Sequence, residues 1–181
     1  MRCKMSICHV IDFEGNKNLG ISEFGVVTLQ NFEIISTHTE ICQNTFNDHL
    51  EYFLNLRRTG LFAAHSAQIE DGLLRHYWAS PGQVPVFTDE TTTLSWGPWV
   101  DTKVIHRELF KNLKSYELED LIFAFELHSE LVKFSEKYCL PWQRKFHCAL
   151  FDALATAMLI QNLQKYFQNI SLPSLVLVGK N

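Results

Sequence analysis

The first third of the chain alternates hydrophobic and polar residues with the two-residue period of β-strands. Three runs rich in Val, Ile, Phe and Thr, at 7–13, 23–29 and 32–39, are separated by turn-forming residues and predict an antiparallel three-stranded meander. After them, Leu and Phe recur at helical spacing up to Gly60, which predicts a helix that ends at this glycine.

From residue 61 onward, short strand-like runs alternate with helical patterns, which predicts an α/β fold with a mixed sheet. The predicted elements are a strand at 61–65, a helix at 68–78, a strand at 100–105, a helical stretch at 117–138 that breaks near His128, and an amphipathic helix at 148–167. Between them, residues 80–99 contain three prolines, two glycines and three consecutive threonines, which is typical of a long loop or a lid.

Composition restricts the class of protein. A length of 181 residues with 46% hydrophobic residues fits a single domain over residues 1–181. The 16 Lys and Arg residues against 20 Asp and Glu residues exclude tight polyanion binding through bulk positive charge. The five cysteines are irregularly spaced, and Asp12 interrupts the N-terminal apolar run too early for a signal peptide. Together with the lack of a bilayer-length apolar stretch, this predicts a cytoplasmic protein without membrane attachment.

Acidic residues lie at the predicted ends of several elements. Asp12 and Glu14 share one face of a strand, because side chains alternate along it. Two carboxylates in this position repel each other unless a cation lies between them, and carboxylate oxygens suit Mg²⁺ or Mn²⁺. Two unrelated acids at a solvated strand end would explain the same pair.

Two later segments carry further acids. Glu70 and Asp71 lie in the first turns of a predicted helix, where the helix dipole stabilises any anion. Asp152 lies among alanines in the last long helix, where a charge needs a partner or a cation. His147 would be about 140° away from Asp152 on an ideal helix, so it can approach Asp152 only from the loop before the helix. An ordinary surface or core histidine would show the same pattern.

The order of these groups along the chain resembles the DEDDh exonucleases, a DnaQ-like family with an RNase H-like fold. The residues that match the three motifs of the family are Asp12 and Glu14, then His65-Ser66-Ala67-Gln68-Ile69-Glu70 with Leu73-Leu74, and finally His147 with Asp152 and Ala153. Nearly the whole chain is covered. The second motif departs from the family, because Glu70 replaces the usual Asp and Ser66 the usual Asn. Use of Asp71 instead would rotate the carboxylate by about 100° around the helix.

The resemblance implies a five-stranded mixed sheet flanked by helices and a metal-dependent 3′–5′ exonuclease. Such an enzyme releases nucleoside 5′-monophosphates from the 3′ ends of single-stranded DNA or RNA. It implies two divalent cations, Mg²⁺ or Mn²⁺, with His147 as the general base. The residues that the resemblance assigns to these cations are Asp12, Glu14, Glu70 and Asp152.

Four further residues are candidates for contact with the nucleic acid. Phe13 offers an aromatic face for stacking, His65 opens the second motif, and Arg144 and Lys145 precede His147 as phosphate contacts. The alternative explanations are that Phe13 belongs to the core, which its type favours, and that Arg144 and Lys145 are a solvated basic pair. The alternative function is a catalytically degenerate RNase H-like module that binds a protein or nucleic acid without cleavage. The sequence leaves open DNA or RNA preference, a homodimer contact through the Trp-rich segment 80–99, and association with a polymerase.

Overall fold

A central β-sheet organises the protein, whose computed structural model describes residues 6–167 and 170–178. The strands are β1 (Ile7–Asn16), β2 (Gly20–Gln30), β3 (Glu33–Ile41), β4 (Leu61–Ala64), β5 (Val84–Pro85), β6 (Thr92–Thr93) and β7 (Trp99–Asp101). The main sheet has the order β3-β2-β1-β4-β7, with β1 antiparallel to β2, β2 antiparallel to β3, and β4 and β7 parallel to β1. This arrangement confirms the predicted five-stranded mixed sheet.

Helices cover both faces of this sheet. They are α1 (Leu50–Thr59), α2 (Ala67–Tyr77), α3 (Thr102–Leu109), α4 (Leu118–Ala124), α5 (His128–Tyr138), α6 (Ala149–Tyr166) and α7 (Leu172–Val178). Short 3-10 helices at Phe46–His49 and Pro141–Gln143 precede α1 and α6. The predicted break near His128 is confirmed by the separation of α4 from α5. Among the described helices, none has both the length and the apolar character needed to cross a bilayer.

The prediction of a strand over 100–105 is wrong in its second half. β7 ends at Asp101, and α3 begins immediately at Thr102. The Asp101 carboxylate accepts the backbone N–H of Val104 at 3.1 Å, which is the hydrogen bond of a helix N-cap. Val and Ile in this run suit a strand and a buried helix face equally well. The capping side chain therefore accounts for the helix that the apolar pattern did not indicate.

α6 is not amphipathic over most of its length, contrary to the prediction. Every residue from 149 to 160 is buried, because the sheet lies on one side of the helix and α4 and α5 lie on the other. The helix approaches the sheet closely at Gly25, where a Cβ atom would lie 2.4 Å from the carbonyl carbon and oxygen of Ala149. Gly25 is also the residue of β2 that pairs with Asp12 of β1. The first turn of α6 is therefore set against the sheet beside Asp12.

The segment 80–99 is a fixed loop rather than a lid. Arg57 of α1 is fully buried, and its guanidinium donates to three carbonyl oxygens of this segment. These oxygens belong to Pro85, Trp96 and Gly97, at 2.7 Å, 2.8 Å and 2.7 Å respectively. The short strands β5 and β6 pair within the loop. Because Trp96 is also fully buried, this part of the Trp-rich segment is core.

One buried histidine makes the stability of the fold depend on pH. His9 on β1 is 4% exposed, and its ring nitrogens lie 3.0 Å from Thr28 Oγ1 and 3.1 Å from Thr59 Oγ1. Burial lowers the pKa of His9 to about 4. The unfolded chain takes up a proton below about pH 6.5, whereas the folded protein does not. The stability that His9 contributes is therefore complete above pH 6.5 and is lost as the pH falls towards 4.

The free energy of unfolding of the wild type falls as the pH is lowered from about 6.5 to about 4.5. We expect this decrease to be smaller in His9→Gln by on the order of 2 kcal/mol. Urea denaturation at a series of pH values measures it, as the difference between the two stability curves. His76→Gln, at an exposed histidine of α2, is the control and should follow the wild-type curve. A His9→Gln curve parallel to that of the wild type would contradict the assignment.

Candidate active site

An open cleft lies at the carboxyl ends of β1 and β4, where the two parallel strands separate. β1 pairs with β4 only from Cys8 to Val10, so the later residues of β1 border open space. Crevices at the carboxyl ends of parallel strands are common ligand sites in α/β folds. The cleft has a volume of about 490 Å³ and is lined by Asp12, Phe13, Glu14, His65, Ser66, Ile69, Glu117, Leu118, Glu119, Phe146, His147 and Asp152.

The acids of β1 lie where the charged form of a carboxyl group is disfavoured. Asp12 and Glu14 are half-buried and point to the same face of the strand, as the sequence predicts. Burial raises the pKa of Asp12 well above its usual value, and Glu70, Asp152, Glu14 and Glu23 raise it further. Burial also raises the pKa of Glu14, although His147 opposes this rise. Acids of β1 itself and of three other elements, β2, α2 and α6, thus act on Asp12.

The acid that α2 contributes to this group is Glu70. It is 5% exposed, and burial raises its pKa to about 8 against the opposing effect of the Phe13 backbone amide. Asp71 is engaged elsewhere, because one carboxylate oxygen accepts Arg75 Nε at 2.5 Å and the other accepts Trp99 Nε1 at 3.0 Å. Of the two alternatives that the sequence left open, the geometry supports Glu70.

His147 and Asp152 approach each other from the loop and the helix, as their spacing requires. His147 precedes α6 with φ of 65°, and its backbone N–H donates to Asp152 Oδ2 at 3.1 Å. Burial raises the pKa of Asp152 to about 7, against the opposing effect of this hydrogen bond. Potential ligand atoms of Glu14, His147 and Asp152 all lie within 4.8 Å of one another.

The residues of the cleft fit divalent cations. Glu70 Oε2 and Asp152 Oδ1 are buried and have no hydrogen-bond partner in the described parts of the chain. Unpaired buried carboxylate oxygens are unfavourable, and a bound cation would relieve both this and the mutual repulsion of the acids. The oxygen donors of Asp12, Glu14, Glu70 and Asp152 are of the kind that Mg²⁺ and Mn²⁺ prefer.

Two of the four candidate substrate contacts border the cleft. Phe13 is 6% exposed and packs against Phe46, with ring centroids 5.4 Å apart, so its ring belongs to the core. His65 lines the cleft, but both ring nitrogens are engaged within the protein. They lie 2.8 Å from Thr102 Oγ1 and 2.9 Å from the Tyr116 carbonyl oxygen. In this arrangement His65 connects β4 to the segments around α3 and α4.

The basic pair before His147 lies elsewhere. Arg144 donates to the carbonyl oxygens of Cys139, at 3.2 Å, and Glu136, at 3.3 Å, at the end of α5. Lys145 is exposed. Neither side chain is among the described residues that line the cleft. Contact between this pair and a phosphate in the cleft would require the segment to rearrange.

Sequence reasoning missed several residues that shape the site. Glu117 and Glu119, at the start of α4, line the cleft, although nothing in their local pattern relates them to β1. Asp101 accepts the backbone N–H of Ala67 at 2.8 Å in addition to capping α3. It therefore holds the first turn of α2, and with it Glu70. Asp is a residue type that commonly caps helices, which was the available signal for the capping role alone.

Comparison with known proteins shows a similarity to solved structures but not to known sequences. No protein-family model and no curated protein sequence matches the chain. Among solved structures, it is similar to Exonuclease X in complex with 5′ overhanging duplex DNA, with a TM-score of 0.58 and 16% sequence identity. The match covers 95% of this chain and 99% of that chain. At this level of identity the likeness shows the fold, and it confirms the predicted RNase H-like architecture.

Proposed function

We propose that this protein is a metal-dependent nuclease that removes nucleotides from the 3′ ends of single-stranded DNA or RNA. The observation that carries the proposal is the convergence of Asp12, Glu14, His147 and Asp152 at one open cleft. The buried Glu70 is close enough to raise the pKa of Asp12, and carboxylate oxygens of Glu70 and Asp152 are left unpaired. The similarity of the fold to that of Exonuclease X supports the same class of chemistry.

The proposed reaction is hydrolysis of the terminal phosphodiester. Asp12, Glu14, Glu70 and Asp152 would hold two divalent cations, which supply water activation and charge stabilisation at phosphorus. His147 is exposed and close to Glu14 and Asp152, so it can accept the proton of the attacking water. The water oxygen bonds to phosphorus as the bond to the preceding 3′ oxygen breaks, and that oxygen takes up a proton from solvent. The products are a nucleoside 5′-monophosphate and a strand with a new 3′-hydroxyl.

The test uses single-stranded DNA and RNA oligonucleotides that carry a fluorescent label at the 5′ end. With Mg²⁺ or Mn²⁺ we expect a ladder of labelled products that shorten from the 3′ end, and with chelator no products. Early release of the labelled nucleotide would indicate the opposite polarity. If neither oligonucleotide is cleaved and a calorimetric titration shows that Mn²⁺ binds poorly, the degenerate binding module replaces the enzyme as the interpretation.

Glu70 and Asp71 provide a matched pair of substitutions on one helix. We expect Glu70→Gln to lower the metal-dependent rate at least about 100-fold, because it removes a negatively charged oxygen donor from the cleft. Asp71→Asn should leave the rate within about threefold of the wild type, since its partners Arg75 and Trp99 lie outside the cleft. Cleavage rates of the two variants at saturating Mn²⁺ show which of the two acids serves the proposed reaction. A larger loss from Asp71→Asn would show that the second motif is displaced by one residue.

A further inference from the structure

A buried carboxylate that has no role in the proposed chemistry lies beside the cleft. Glu23 on β2 pairs directly with Glu14 on β1 and is 9% exposed, so the two acids point to the same face of the sheet. Within the described ranges, no Lys or Arg forms an ion pair with it. A buried acid without a cation is unfavourable. Glu23 therefore depends on neutral hydrogen-bond donors.

Gln143, in the 3-10 helix before α6, is the principal donor. Its Nε2 atom donates to Glu23 Oε1 at 3.1 Å, while its Oε1 atom accepts the backbone N–H of Leu140 at 3.2 Å. The Thr39 hydroxyl adds a longer contact of 3.4 Å to the same Glu23 oxygen. Gln143 is 2% exposed, whereas the two residues after it and His147 are exposed. Gln143 thus anchors a largely exposed segment to the sheet.

This anchor matters because His147 has an unfavourable backbone conformation. Its φ of 65° lies in the left-handed region, which residues other than glycine rarely adopt. In this conformation the His147 N–H reaches Asp152 Oδ2 at 3.1 Å. Such a backbone persists only where the surrounding structure holds it on both sides. α6 holds the following residues. On the preceding side Arg144 is bonded to the end of α5, and Gln143 supplies the contact with the sheet.

We propose that Glu23 and Gln143 are a positioning pair that holds residues 140–148 so that His147 lies beside Glu14 and Asp152. The proposal rests on the proposed function, in which His147 accepts the proton of the attacking water. Displacement of a catalytic group by about 1 Å can lower a rate about 100-fold. Because the pair does not border the cleft itself, its loss should change kcat much more than KM.

Gln143→Met removes these hydrogen bonds at nearly constant side-chain volume. We expect kcat on a single-stranded oligonucleotide to fall about 10- to 100-fold, with KM within about threefold of the wild type. Gln161→Met on α6 is the matched control, because it loses a comparable hydrogen bond, from Nε2 to the Phe32 carbonyl oxygen at 2.7 Å, outside the cleft. It should keep the wild-type kcat. Equal losses in the two variants, or a loss that follows the unfolded fraction, would overturn the positioning role.

An exchange of the two side chains tests the pair independently of folding defects. Gln143→Glu alone brings two carboxylates together, and we expect its kcat to fall at least about tenfold. Adding Glu23→Gln restores one amide and one carboxylate to the same contact. Recovery of most of the lost kcat in the double variant supports the pair, and a double variant no better than Gln143→Glu overturns it.

Hydrogen exchange of the His147 backbone amide, followed by NMR, separates this proposal from the proposed function. We expect exchange at least about tenfold faster in Gln143→Met than in the wild type, and no change in Gln161→Met. A wild-type protein that cleaves no oligonucleotide would refute the nuclease function. Unchanged exchange at His147 in Gln143→Met would refute the positioning pair, whatever the activity.

Discussion

Asp152→Asn is expected to lower metal-dependent cleavage roughly 1,000-fold while leaving the metal-free protein no less stable than the wild type. The amide lacks the negative charge that a divalent cation requires, but its carbonyl oxygen can still accept the His147 N–H. Loss of activity together with retained stability would identify Asp152 as a functional acid rather than a structural one.

The stability half of this expectation follows from the direction of the pKa change. Burial raises the pKa of Asp152 to about 7, so the carboxylate favours folding only while it is protonated. Its contribution is complete below the unfolded pKa of about 4 and is lost as the pH rises through 7. At pH 8 the wild type therefore contains an unfavourable buried charge, and the amide variant does not.

Thermal denaturation with and without Mn²⁺ completes the test. Bound metal should raise the Tm of the wild type, because it binds the folded state, and should raise that of Asp152→Asn much less. Asp120→Asn, at an exposed acid of α4 that does not line the cleft, should behave as the wild type in both assays. Retention of more than about a tenth of the activity in Asp152→Asn would falsify its role as a metal ligand.

The second large effect is expected from Gly25→Ala, which should lower the free energy of unfolding by about 2–3 kcal/mol. A Cβ atom at this position would lie 2.4 Å from the carbonyl carbon and oxygen of Ala149 and from the backbone nitrogen of Leu150. These are backbone atoms of a helix that is buried on all sides, and β2 is paired on both edges, so neither element can move freely.

Activity should fall with Gly25→Ala even where the protein remains folded. Displacement of the first turn of α6 moves Asp152 away from Asp12, the residue of β1 that pairs with Gly25 of β2. Urea denaturation and cleavage rates at low temperature measure the two effects separately. Gly72→Ala in α2 is the control, since a Cβ atom at this position would contact only the Lys17 side chain, at 3.6 Å. It should raise stability by about 0.5–1 kcal/mol. Unchanged stability in Gly25→Ala would contradict the close approach of α6.

The sequence predicted those features that local patterns determine. The alternation of strands and the spacing of His147 to Asp152 depend on backbone periods alone, and the structure places the two residues in the loop and the helix accordingly. The choice of Glu70 over Asp71 came from the resemblance, through the match at Leu73-Leu74, because adjacent helix positions differ only in what surrounds them. Here the partners of Asp71 come from two places, Arg75 one turn on and Trp99 on β7.

Long-range contacts account for the features that were missed. α6 was predicted to be amphipathic because isolated helices expose one face, and nothing local indicates that α4 and α5 would cover it. The Glu23–Gln143 contact joins residues 120 positions apart through a single hydrogen bond. The acids of α4 reach the cleft for the same reason, since the tertiary fold, and not their neighbours in sequence, brings them there.

The hydrogen bonds between Arg57 and segment 80–99 also indicate where a peptide can be inserted into this protein. The bonded carbonyls belong to residues 85, 96 and 97, so the base of the loop is fixed while residues 89–91, between β5 and β6, are exposed. An inserted peptide or tag at this tip would leave the guanidinium contacts intact and would extend into solvent. The tip is thus a natural attachment point for a fused domain.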